Sequence, residues 1–133
     1  MAKEKKEKQV KKVHNSVELF KQLLWFRRVK KKEFLWQEIV GAITGITKTR
    51  TKEVEDILVK LIEFEGKIRL SPDSDIPGVM SPEDTLKSLA IQTLSEWTGR
   101  KHLKTFKKIC AKTESPILSQ IAKVYIERFG GEP

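Results

Sequence analysis

Two stretches of this chain, residues 86–99 and 118–131, repeat one another at a constant offset of 32, and both are preceded by Ser-Pro. Leu86 falls over Leu118, Leu89 over Ile121, Ala90 over Ala122, Leu94 over Ile126, Trp97 over Phe129 and Gly99 over Gly131. The apolar positions recur at three- and four-residue steps, the period of one helix face. Serine followed by proline is a strong helix start, because the hydroxyl can accept a first-turn amide while proline occupies a position whose N–H has no partner in any case. Ser81-Pro82-Glu83-Asp84 therefore predicts a helix reaching Trp97 before Gly99, and Ser115-Pro116 one reaching Phe129, ended by Gly130 and Gly131. Between them a helix is expected from about Arg100 to Ala111.

Upstream the pattern is helical at first and then mixed. Residues 1–15, six Lys against two Glu with no apolar periodicity, read as a flexible basic tail. A helix is expected to start at Asn15 or Ser16, with Val17, Leu19, Phe20, Leu23, Leu24 and Phe26 on one broad apolar side. A second apolar segment holds Phe34, Leu35, Ile39, Val40 and Ile43, and Gly45 is expected to break it. The third helix is capped by Thr51, carries Glu53, Glu55 and Asp56 in its first turn, and repeats Val54, Ile57, Leu58, Leu61 and Ile62 until Gly66 stops it. Lys67 to Leu70 alternate polar with apolar, as a short strand does, and a polar turn follows at Ser71 to Asp75. Pro77 and Gly78 limit Ile76 to Val79 to an edge strand or linker, which places a domain boundary near residue 80.

With 133 residues, the chain suits one compact domain or two very small ones, not a large multi-site enzyme. Hydrophobic residues at 38% suffice for a core, while 34% charged residues put ions over the surface. No apolar run approaches the ~20 residues of a membrane span, and no apolar segment of a secretory signal follows the first lysines. The single Cys110 cannot form an internal disulfide, and with only His14 and His102 it cannot build a Cys/His zinc site. The protein is expected to be soluble, cytoplasmic and without membrane contact.

The net charge of +9 is clustered. Residues 1–15 carry +4 (six minus two), residues 16–72 carry +4 (12 minus eight) and residues 73–133 carry +1 (nine minus eight). Arg27, Arg28, Lys30, Lys31 and Lys32 form one basic run, and Arg100 to Lys112 hold six basic side chains without an acid. Such clusters repel one another, so a polyanion is the simplest partner.

The repeat, its period and its helix-pair layout resemble HEAT-type α-solenoid repeats, in which a small residue such as Ala90 or Ala122 lets neighbouring helices approach. About one and a half repeats are present, fewer than the ~3 a free-standing solenoid needs. Ile39, Ile43, Ile46, Thr51, Val54, Leu58, Leu61, Gly66 and Ile68 fit a second pattern: helix, short turn, recognition helix, glycine and hairpin. Over about residues 16–80 this resembles the winged helix-turn-helix family. The resemblance implies that Thr47, Lys48, Thr49, Arg50 and Lys52, at the start of the third helix, point into a DNA groove, and that Lys67 and Arg69 lie on or beside the wing.

Other groups are weaker. Lys101, Lys104, Lys108 and Lys112 fall at steps of three and four, a stripe that can track a phosphate backbone or simply solubilise an outer face, with Lys107 nearby. Leu103, Phe106, Ile109 and Cys110 lie on the opposite, apolar side. Gly41 to Thr49 looks superficially like a nucleotide P-loop, but three residues separate its glycines where four are required, and Lys48 comes two positions late. Neither histidine has a nucleophile or an aimed carboxylate beside it. Trp25, Trp36 and Trp97 read as packing residues.

The expectation is a mainly α, non-enzymatic protein without cofactor or metal: a tail (1–15), a winged-helix-like unit with a small β-hairpin or single strand (16–80), and a HEAT-like unit of about three helices (81–133). The expected partner is nucleic acid, duplex DNA ahead of RNA, in a transcription, replication or genome-maintenance accessory role. The alternative is a protein interaction or assembly subunit, either a homo-oligomer or part of a larger complex.

Overall fold

The computed structural model describes residues 16–21, 23, 33–74 and 80–130. It is mainly helical. The described part of α1 covers residues 16–21 and 23; α2 is Trp36–Ile46, α3 Lys52–Glu63, α4 Pro82–Thr98, α5 Leu103–Lys112 and α6 Pro116–Gly130. The chain separates into two compact units: Met1–Ile57 with Ile68–Ile76, and Leu58–Lys67 with Pro77–Pro133. The division thus runs inside α3, whereas sequence places the boundary near residue 80. Leu58, Leu61 and Ile62 are buried on the second half of α3, and that apolar run belongs with the C-terminal helices.

In the first unit, Val17 and Phe20 of α1, Phe34, the Trp36, Ile39, Ala42, Ile43 and Ile46 side of α2, and Val54 and Ile57 of α3 are buried. Gly45 does not break α2, which continues to Ile46. Its backbone has negative φ, and the penalty of about 1 kcal/mol for a mid-helix glycine is outweighed by full burial of Ile46, worth roughly 1.5–3 kcal/mol. The helix-to-turn transition comes after it, where Thr47 N–H donates to Ile43 O (3.0 Å), Lys48 N–H to Gly45 O (3.3 Å) and Thr49 N–H to Ile46 O (3.0 Å). Val40, expected among the apolar residues, is exposed.

Of the expected β-hairpin or single strand, the described residues show one pairing. Among the described residues the only β contact is a parallel bridge between Phe34 and Leu70, made by Phe34 N–H to Arg69 O (2.9 Å) and Ser71 N–H to Phe34 O (2.8 Å). Lys67 to Arg69 are not in a strand. Alternation over four residues cannot sustain a ladder without a partner strand, and Ser71 turns the chain at once, accepting the Ser74 amide at 3.0 Å. The residues 75–79 that would form a second wing strand lie outside the described residues.

In the second unit, α6 packs on both α5 and α4. Leu86, Ala90, Ile91 and Leu94 of α4, Phe106 and Ile109 of α5, and Leu118 and Ala122 of α6 are buried. Both Ser-Pro starts cap as their sequence indicates: Ser81 Oγ accepts the Asp84 amide and Ser115 Oγ the Leu118 amide, each at 3.2 Å. Gly99 ends α4 with φ of 61°, the left-handed region glycine enters without strain. The helix expected from Arg100 starts only at Leu103, because Arg100 to His102 form the turn that follows. Of the repeated pairs, Leu86/Leu118 and Ala90/Ala122 are buried in both copies, but Leu89 is 37% exposed. It is therefore a surface residue of α4, contrary to its place in the repeat.

Candidate nucleic-acid interface

The start of α3 is the best-defined basic site. Thr51 Oγ1 accepts the Val54 amide (3.1 Å) and Thr51 O the Glu55 amide (2.9 Å), so the N-terminal turn is capped by the residue sequence selects. The amides of Lys52 and Glu53 precede any intrahelical acceptor, and the helix dipole adds partial positive charge there. Around this end Lys48, Arg50 and Lys52 are exposed, and Thr49 is half-buried. Among the described residues none of these three cations is ion-paired. A backbone phosphate meets mobile cations, a hydroxyl and free amides at such a place.

The acids of the first turn oppose that chemistry, and one of them is already engaged. Glu53 Oε1 lies 2.8 Å from Lys21 Nζ, on α1, which also stands 3.8 Å from Glu18 Oε1. The hydrogen bond to Glu53, with the charges of Glu53 and Glu18 behind it, raises the Lys21 pKa above its ordinary 10.5. Asp56 remains exposed on the same helix.

The other sequence candidates divide. Arg69 is exposed but faces Glu33, Nε to Oε1 3.8 Å, and it flanks the Phe34–Leu70 bridge. Arg100 and Lys101 are exposed in the turn before α5, and Lys104, Lys107, Lys108 and Lys112 are exposed along α5. Lys112 Nζ pairs with Glu65 Oε1 at 3.3 Å. Lys67, Lys108 and Lys112 line an open groove of about 820 Å³ in the second unit. Glu63, Glu65, Glu83, Asp84 and Glu114 line it too. Five carboxylates against these lysines and Lys87 give the groove no excess of positive charge, so the lower end of the lysine stripe lies beside acids.

Lys48, Thr49, Arg50, Lys52 and Arg69 belong to the first unit; Lys67, Arg100, Lys101, Lys104, Lys108 and Lys112 belong to the second. Arg27, Arg28, Lys30, Lys31, Lys32, Trp25, His14 and the tail lie outside the described residues. Trp36 is buried and Trp97 half-buried. Cys110 is half-buried, with Sγ 3.5 Å from Ser119 Oγ. Sequence reasoning missed Lys21 and the groove acids. The Glu18 to Lys21 spacing of three is a legible helical pair, whereas the approach of Lys21 to Glu53 across 32 residues leaves no local signature.

No described helix is long and apolar enough to cross a membrane. Comparison with known proteins finds no family model that matches the chain, no similar curated protein and no similar solved structure.

Proposed function

We propose that this is a non-enzymatic, cytoplasmic nucleic-acid-binding protein that grips the phosphate backbone of duplex DNA, ahead of RNA, through the start of α3. The single observation behind this reading is the group of three exposed cations, Lys48, Arg50 and Lys52, none ion-paired among the described residues, around a capped helix N-terminus. The winged-helix resemblance gives this helix the recognition role, and burial of its pattern residues Ile39, Ile43, Ile46, Val54, Leu58 and Leu61 supports it. Burial of Leu86, Leu118, Ala90 and Ala122 supports the HEAT-like reading of residues 81–133. Reversing Lys48, Arg50 and Lys52 to Glu weakens binding to a labelled duplex more than reversing Lys101, Lys104 and Lys108. The opposite ranking moves the interface to the second unit.

One observation favours a second reading, a protein interaction or assembly subunit. Ile117 and Val124, seven residues apart and so on one face of α6, are 39% and 49% exposed. An oligomer or larger complex that Ile117→Asp with Val124→Asp dissociates supports this reading; a monodisperse monomer at high concentration opposes it.

A further inference from the structure

From the Lys21, Glu18 and Glu53 cluster we infer that Lys21 is a positioning residue for the phosphate site at the start of α3, acting by holding the Glu53 carboxylate rather than by touching nucleic acid. The inference rests on the reading of that helix start as a phosphate site.

Glu53 is the second residue of α3 and directly follows Lys52. Left free, its carboxylate stands in the same turn as the cations that would meet a phosphate, and it repels that phosphate. The structure places the Lys21 ammonium 2.8 Å from Glu53 Oε1. Glu18, one helical turn earlier on α1, stands 3.8 Å from the same ammonium. Lys21 thus has two carboxylates within 4 Å, which favours its charged form and offers its donors carboxylate oxygens. Its raised pKa agrees with this placement. The pair is partly exposed, at 38% and 55% of the two side chains, so its contribution to stability is small. Its effect on a nearby anion is screened too, but it acts in the first turn, where cancelling one charge changes the field at the arriving phosphate.

The prediction distinguishes an indirect role from a direct one. Lys21→Gln frees Glu53 and weakens duplex binding by about two- to fivefold, the size of one charge interaction at a helix end. Glu53→Gln alone leaves binding near the wild-type level, because Lys21 already holds that carboxylate. In the double variant Lys21→Gln with Glu53→Gln, binding returns to the wild-type level or above, because there is no carboxylate left to hold. Lys21→Arg keeps wild-type binding. The salt dependence provides a readout that a fold defect would not mimic: Lys21→Gln lowers affinity without reducing the slope of log K against log salt, whereas loss of a direct phosphate contact reduces it by about 0.9.

The experiment is fluorescence anisotropy of the full chain with a labelled duplex at several salt concentrations, with circular dichroism of each variant to confirm helicity. Rescue of Lys21→Gln by Glu53→Gln at unchanged slope supports the inference. An equal loss from Lys21→Gln in both backgrounds, or a slope reduced by about one phosphate, overturns it while leaving nucleic-acid binding intact. A wild-type chain that binds no duplex at low salt overturns the functional reading itself, and the inference with it.

Discussion

Ser74 Oγ accepts the amide of Trp36, 3.0 Å away and 38 residues earlier in the chain. Trp36 is the first residue of α2, and the residue at its N-cap, Leu35, has no side chain able to accept. A turn residue late in the first unit therefore supplies the cap that sequence leaves missing. The same hydroxyl donates to Phe34 O (3.3 Å), which ties it to the Phe34–Leu70 bridge. Ser74→Ala is expected to destabilise the protein by about 1 kcal/mol, in the range of lost helix caps, seen as a lower urea midpoint at unchanged m-value.

Two glycines give opposite signs for the same substitution. A Cβ built on Gly41, inside α2, meets nothing within 4 Å. Gly41→Ala therefore stabilises by roughly 0.5–1 kcal/mol through helix propensity and a restricted unfolded chain. Gly99, with φ of 61° at the end of α4, holds a conformation that other residues enter only under strain. Gly99→Ala destabilises by about 1 kcal/mol. Thermal unfolding of both variants checks the pair, and a shift of the same sign in both contradicts the account.

Ala90 and Ala122 are fully buried on α4 and α6. If their size is what allows close helix approach, Leu at either site overpacks the second unit. Ala122→Leu is expected to destabilise by about 1–3 kcal/mol, whereas Lys123→Leu, at the exposed neighbouring position, changes stability by less than about 0.5 kcal/mol. Chemical denaturation of the two variants measures the difference.

The Lys21 pair makes a signed prediction for alkaline pH. Because folding raises the Lys21 pKa above 10.5, its contribution is fully present below that value and is lost as pH rises through the folded pKa. The stability difference between wild type and Lys21→Gln is therefore constant from neutral pH to about 10 and shrinks above it. Melting curves at stepped pH read this out; a difference that shrinks between pH ~5 and ~8, where lysine does not titrate, contradicts the assignment.

What sequence revealed and what it hid follow the range of the interactions. Thr51, Ser81 and Ser115 cap amides three residues away, so hydroxyl and amide lie in one reading window, and all three caps are present. Apolar spacing likewise marked Ile39, Ile43, Leu58, Phe106 and Leu118 as buried. Gly45 misled because burial of Ile46 outweighs its propensity, and Leu89 because two amphipathic helices share a period without sharing an environment. The Ser74 cap, the Phe34–Leu70 bridge and the Lys21–Glu53 pair join residues more than 30 positions apart. No local pattern encodes them. The basic clusters were legible as clusters, but which of their cations meet a carboxylate was not, since Glu33 and Glu65 reach Arg69 and Lys112 only through the fold.

Duplex DNA titrated against wild type and the Lys48→Gln, Arg50→Gln, Lys52→Gln variant across salt concentrations isolates the phosphate contacts at the start of α3. The expected result is wild-type binding that falls steeply with salt, and a variant whose log–log slope is shallower by about 2.7, three phosphates at ~0.9 each. A wild type that binds no duplex at low salt, or a variant with the wild-type slope, contradicts a phosphate-gripping α3.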